Sequence, residues 1–304
     1  METYHLDQMQ SLPLEQKIIK SQQRIREWYE HWDGDVYISV SGKDSMVVND
    51  LVRQLYSNVP AVFCNTGLEW PGIVDHIKTL ENIKIIRPEM PFRKVLDKYG
   101  YPVVSKEQSS FIQEYRDTKS DKLRKYRWDG DSKGRFKISE KWKFLVDAPF
   151  KISDMCCDVM KKRPFEIYEK QTNRKPFLGV MAADSRQRRG QYLRHGGCNA
   201  FNLKKRPRSN PIGFWTEQDV LLYLKEYNIP YAKNPYGEII EENGLLKMSG
   251  EPNTGCMFCV FGIHMESEPN KFQRMKKSYP KQWSYCMDKL GLKEVLDYIG
   301  IKYE

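Results

Sequence analysis

Two patterns take turns along the first part of the chain: short apolar runs, and longer stretches whose apolar positions recur every three or four residues. Val36-Tyr-Ile-Ser-Val40 is rich in β-branched residues and is entered from the turn Asp33-Gly34-Asp35, which predicts a strand. From Ser45 the period changes, and Val47, Val48, Leu51, Val52 and Leu55 fall on one helical face. Ala61–Cys64 predicts a second strand, Ile73, Ile77 and Leu80 a helix, Ile83–Arg87 a third strand and Pro176–Met181 a fourth. Upstream, residues 13–32 predict a helix with Pro13 in its first turn and Leu14, Ile18, Ile25 and Trp28 along one face. Thr216 is a good N-cap for a scaffold helix carrying Val220, Leu221 and Leu224. Residues 101–117 read as a strand end followed by a helix, and from Arg116 to Lys143 the periodicity fades. Strands alternating with helices at this spacing predict an α/β fold, a parallel sheet flanked by helices, with ligands beyond the carboxyl ends of its strands.

The 304 residues are enough for a full core, and 40% hydrophobic content is that of a soluble globular protein. No run approaches the roughly 18 apolar residues of a membrane span. Glu2, His5 and Asp7 do not make a basic-then-apolar signal segment, so the expectation is cytoplasmic, with no membrane partner. A formal charge of +10 tilts the reading toward polyanionic ligands, nucleotides or nucleic acid.

The junction at Ser41-Gly42 has to be a tight corner between strand and helix. A strand, a small-residue corner and a helix N-terminus form an anion site, because unpaired backbone N–H groups and the helix dipole point at one spot. Lys43 adds a mobile positive charge, and Asp44 is a candidate ligand for Mg2+ bridging phosphate oxygens. Both side chains are expected at a solvent-facing helix start. The G-x-x-x-x-G-K-[ST] loop is absent. An ordinary βα corner is the plain alternative.

Gly42, Lys43, Asp44 and Ser45 match the end of the PP-loop, S-G-G-x-D-S; Ser41 stands where a second glycine is usual and Val40 where the first serine is. Phe63-Cys-Asn-Thr-Gly-Leu-Glu-Trp-Pro71 resembles F-x-D-T-G-x-x-F/Y-P, with Asn65 for the usual Asp. Ala182-Ala-Asp-Ser-Arg-Gln-Arg-Arg189 resembles the G-x-x-x-x-E-S-x-x-R stretch with Asp184 for Glu, and the segment from Asn210 to Val220 resembles P-L-x-x-W-x-x-x-D-V. Together these resemble the phosphoadenosine phosphosulfate (PAPS) reductase family within the PP-loop ATP-pyrophosphatase superfamily. The resemblance implies a Rossmann-like, adenine nucleotide α-hydrolase-like sheet. It implies an adenine nucleotide, ATP or APS/PAPS, bound with Mg2+, with Lys43, Asp44 and Ser45 in the chemistry. Ser39, Ser41 and Gly42 would line the nucleotide, Asn65, Thr66 and Gly67 lie over it, and Ser185, Arg186 and Arg189 approach its phosphates or sugar. It divides the chain into a helical arm (1–33), the nucleotide-binding domain (34–232, with a basic insertion at 116–147) and a C-terminal CxxC and helical segment (233–304) packing on the core.

Seven cysteines in a reducing compartment argue against a disulfide framework. Cys156-Cys157 and Cys256-Met-Phe-Cys259 lie too far apart for a self-contained zinc finger, yet two distant pairs can converge on one four-thiolate site. With the first pair followed by Lys161-Lys162-Arg163-Pro164, the pattern resembles the iron–sulfur class of adenylyl-sulfate (APS) reductases. That implies a [4Fe–4S] cluster, with zinc the alternative, and positive charge from Lys162 and Arg163 near cluster and nucleotide. Cys64 and Cys198 read as small buried residues. Reductases of the superfamily carry a nucleophilic cysteine in an E-C-G-L-H tail; the tail from Leu290 to Glu304 has none, and Cys286 matches nothing in that motif.

The leading reading is therefore an ATP-using, iron–sulfur sulfur-transfer enzyme that adenylates an acceptor. Eleven Lys/Arg against five acids over residues 116–143, with Tyr126, Trp128, Phe136 and Trp142 interleaved, suit a nucleic-acid acceptor as well as a solvated insertion. The alternatives are a sulfite-forming APS/PAPS reductase with a non-standard thiol, and a non-catalytic nucleotide-binding module with a structural four-cysteine site. A sulfur or electron donor protein and a second copy of the chain are further expected partners.

Overall fold

The computed structural model describes residues 2–203 and 206–304. Its sheet comprises β1 (Val36–Ser39), β2 (Ala61–Cys64), β3 (Ile83–Ile86), β4 (Lys175–Leu178), β5 (Asn199–Ala200) and β6 (Arg208–Ser209), in the order β3-β2-β1-β4-β6-β5. Every neighbouring pair is parallel except β5 and β6. The α/β expectation holds; β5 and β6, two residues each, are too short to leave a periodic signal. Val36, Tyr37 and Ile38 of the central β1 are all buried, as an interior parallel strand covered on both faces requires. The chain runs outward from β1 to β3, then returns to β4 on the other side of β1. In sheets of this kind that reversal, at the carboxyl ends of β1 and β4, is where ligands bind.

Two compact units divide the chain, Met1–Asn65 with Glu69–Arg87 and Phe165–Met257, and Thr66–Leu68 with Pro88–Pro164 and Phe258–Glu304. The N-terminal helices, the six-stranded sheet and a hairpin, β7 (Ile239–Glu242) with β8 (Leu245–Met248), belong to the first unit. In the Leu14–His31 helix Leu14, Ile25 and Trp28 are buried as expected, whereas Ile18 is half-buried and Pro13 caps the helix rather than entering its first turn. The pattern missed Lys17, which is 2% exposed. Its ammonium donates to Asp219 (2.6 Å) and to the Gln10 carbonyl (2.7 Å). Asp219 also closes the capping box at Thr216, so one carboxylate caps the Glu217–Glu226 helix and anchors the arm.

In the second unit Tyr101 pairs with Ile152 and donates its hydroxyl to the Leu290 carbonyl (2.8 Å), and the Gly262 N–H donates to Val104 O (2.8 Å). These bonds join the segments before and after the first unit's long insertion. The stretch expected to lose periodicity contains a helix, Asp121–Asp129, none of whose side chains is buried. Its stability is local: Ser120 caps it, and Arg124–Asp121 and Lys125–Asp129 pair along its surface. Among the described residues no helix is long and apolar enough to cross a membrane.

Candidate functional site

The corner after β1 is built by three short bonds. The Ser41 N–H donates to Ser45 Oγ (2.8 Å), Ser45 Oγ donates to the Gly42 carbonyl (2.6 Å), and the Ser45 N–H returns to the same carbonyl (3.1 Å). Gly42 is required because a Cβ there would meet the Tyr236 hydroxyl and Thr254 Oγ1. The Lys43 N–H donates to that Tyr236 hydroxyl (3.1 Å), and Tyr236 in turn shares a short hydrogen bond with Thr254. The expectation of unpaired N–H groups is thus corrected at Ser41, Lys43 and Ser45. A hydroxyl from a distant segment accepts from the helix-start N–H instead.

Lys43 is not at a solvent-facing helix start; it is 1% exposed. Its Nζ lies 2.8 Å from Asp44 and 3.0 Å from Glu217, and 5.8 Å from the centre of the Tyr236 ring. Burial on its own lowers the Lys43 pKa, but Asp44 and Glu217 outweigh it and raise the pKa above its usual range. Burial raises the Glu217 pKa, with Lys43 opposing and Asp44 reinforcing. Two carboxylates facing one ammonium leave the corner without surplus positive charge, which suits an anion accompanied by a cation or by protonation of Glu217. Tyr236, Thr254 and Glu217 lie far from the corner in sequence, so no local motif pointed to them.

Beyond β4, a Cβ on Gly179 would meet the Ser45 nitrogen at 2.8 Å, so only glycine lets this strand end approach the helix start. Ser185 caps the Arg186–Arg194 helix by accepting from the Arg188 N–H (3.2 Å), and Arg186 is exposed. Arg189 is engaged by Asp7 (2.6 Å) of the N-terminal helix. Arg188 pairs with Asp184, and E-S-x-x-R counted from Asp184 falls on Arg188, one residue before the arginine singled out from the sequence. Ser39 is half-buried at the end of β1. Asn65 directly follows β2 and donates its N–H to Ile86 O (2.9 Å); Thr66 and Gly67 belong to the second unit.

Cys64 and Cys198 are buried, as expected. Cys156, Cys157 and Cys259 belong to the second unit and Cys256 to the first. The tandem pair opens a helix that passes through a π-helical turn, Asp158–Lys162, into Arg163–Thr172. A hydrogen bond from Cys156, with Lys106 and Lys161 nearby, outweighs burial and lowers the Cys157 pKa below its ordinary value, favouring the thiolate. The chemistry of this pair fits a thiolate-bound metal group. Among the described residues, however, no three or more His, Cys, Asp or Glu side chains are gathered to hold a metal ion. Lys162 and Arg163 both pair with Asp158 (3.4 and 3.1 Å). Cys286 is fully buried, and burial pushes its thiol up to about 12.

The 116–143 stretch matches most of its cations with acids: Arg124–Asp121, Lys125–Asp129, Arg127–Glu114, Arg135–Asp131, and Lys137 and Lys143 with Glu140. Trp142, expected as a stacking surface, is buried against His264 instead (centroids 5.1 Å apart), because it fills the second unit's core.

Among known proteins, the adenosine 5'-phosphosulfate reductase of Staphylococcus epidermidis is 23% identical over 252 residues, covering 79% of this chain and 77% of that protein. The enzyme of the same name from Oceanobacillus iheyensis is 23% identical over 256 residues, covering 81% and 80%. The crystal structure of PAPS reductase from Candida auris in a phosphate complex aligns with a TM-score of 0.43 at 14% identity, over 84% of this chain and 98% of that one. The phosphoadenosine phosphosulfate reductase domain matches residues 35–233, more than half of the chain, which is therefore an enzyme of the PAPS reductase family.

Proposed function

We propose that the chain binds ATP at the Ser41–Ser45 corner and transfers its adenylyl group to an acceptor destined for sulfur chemistry. The observation that carries this reading is the corner at the sheet's reversal point, with Lys43 buried beside it between Asp44 and Glu217. When nucleotide enters, its β- and γ-phosphate oxygens displace the Tyr236 hydroxyl from the Lys43 N–H and draw the Lys43 ammonium from Glu217. Asp44 would hold Mg2+, which would neutralise the same oxygens. A nucleophilic atom of the acceptor then attacks the α-phosphorus. The bond from that phosphorus to the bridging oxygen breaks, its electron pair leaves with pyrophosphate, and the acceptor's proton passes to water. Lys43 and the helix N-terminus stabilise the charge on the departing pyrophosphate.

Cys156, Cys157, Cys256 and Cys259 are the proposed ligands of a [4Fe–4S] cluster, supported by their spacing and by the thiolate character of Cys157. When bound, such a group supplies electrons or sulfur to the acceptor. The second reading, a sulfite-forming APS or PAPS reductase, is favoured by the names of the relatives. Cys286 weighs against it, since a fully buried thiol with its pKa near 12 is a poor nucleophile.

Anaerobically purified protein should convert ATP to AMP and pyrophosphate, slowly alone and faster with its acceptor, and release no sulfite from APS or PAPS with thioredoxin. Sulfite release abolished by Cys286→Ser would establish the second reading instead.

A further inference from the structure

A small cavity lies in the first unit, apart from the corner. Its volume is about 160 Å3, well below the ~300 Å3 at which pockets for larger ligands begin. Leu178 and Val180, at the end of β4, form one wall, while Gly179 between them packs on the Ser45 helix start. The strand end therefore separates the cavity from the phosphate corner. The other walls come from the Arg186–Arg194 helix and from β6 and the residues after it.

Arg208, on β6, lines this cavity as a half-buried guanidinium, and among the described residues no carboxylate pairs with it. Burial, reinforced by Arg206, works against its charge. A cation withdrawn from water without a partner is costly and is stabilised by an anion beside it. Arg188 opposite is neutralised by Asp184, so Arg208 is the unbalanced charge of the wall. His195 and Gln191 add further hydrogen-bonding groups. Asn210 lines the same space, and its Oδ1 is buried with no hydrogen-bond partner. An unpaired cation lining a small concave space beside hydrogen-bonding side chains is an arrangement that an anion completes.

We propose that this cavity binds a small inorganic oxyanion of the sulfate, sulfite or phosphate class, with Arg208 as counter-charge and Asn210, Gln191 and His195 as hydrogen-bonding partners. The site is independent of the nucleotide reading of the corner.

Calorimetric titration of the whole chain with sulfate, sulfite and phosphate, each against chloride at matched ionic strength, tests the assignment. At least one oxyanion should bind, and Arg208→Gln should weaken it by about tenfold or more, the worth of a charged hydrogen bond. Lys43→Ala should leave that affinity within about twofold, because Lys43 belongs to the corner. If Arg208→Gln unfolds the protein, Gln191→Leu carries the same expectation of weakened binding. Three results would each overturn the proposal: no oxyanion binding above chloride, binding lost in Lys43→Ala but kept in Arg208→Gln, or binding indifferent to both cavity variants. Which oxyanion binds tightest names the ligand within the class.

Discussion

Lys43 sits between two carboxylates, which under the proposed function a polyphosphate must outcompete, and Glu217 then sets the corner's resting state. Burial raises the Glu217 pKa, so as pH falls toward it the carboxyl takes up a proton and releases the Lys43 ammonium. Glu217→Gln should therefore bind Mg2+-free pyrophosphate more tightly than the wild type at pH 7, by several-fold. The gap should narrow at a lower pH, closer to the raised Glu217 pKa, where the wild-type carboxyl is itself increasingly neutral. Titration of both proteins at the two pH values checks this; an equal gap at both would detach Glu217 from the site. Ser41 to Ser45 were legible because a corner is a local event, marked by small residues and a change of period. Glu217, Tyr236 and Thr254 were not, because their part in the corner comes from chain reversals that no local pattern encodes.

Individual elements divide in the same way. The helix after Thr216 announced itself through its cap and its apolar face, and both are present. Its bond to the arm was hidden, since a lysine on a helix reads as surface until Asp219 is found beside it. The two roles of Asp219 separate by mutation. Thr216→Ala removes a cap and should cost about 1 kcal/mol. Asp219→Ala removes the cap and strands a buried ammonium, and should cost about 3–5 kcal/mol. Urea denaturation of both variants measures the difference; equal losses would mean that Lys17 relaxes to solvent without penalty. The Asp121–Asp129 helix shows the opposite failure, a helix with no buried face for periodicity to report.

For the molecule as a whole, a net charge of +10 overstates what the 116–143 stretch can offer a polyanion. Arg124, Lys125 and Arg127 are each matched to an acid, and neutralising them mainly removes internal pairs. If the acceptor is a nucleic acid, the variant lacking Lys122, Arg124, Lys125 and Arg127 should lower the slope of log affinity against log salt by about one unit or less. A full set of phosphate contacts would lower it by nearly four, at ~0.9 per contact. Binding to a labelled oligonucleotide between low and high salt distinguishes the two.

The two units are also interleaved along the chain, and this matters on the ribosome. β1, β2 and β3 emerge first, but β4, which pairs with the other side of β1, is not made until residues 88–164 have been translated. At ~5–20 residues per second that interval lasts roughly 4–15 s. During it the nascent half-sheet exposes the free backbone edge of β1, and unpaired edges of that kind template wrong partners. Completion of the sheet is therefore tied to the order of synthesis, and slow codons placed between Pro88 and Pro164 would lengthen the vulnerable interval without altering one residue of the folded enzyme.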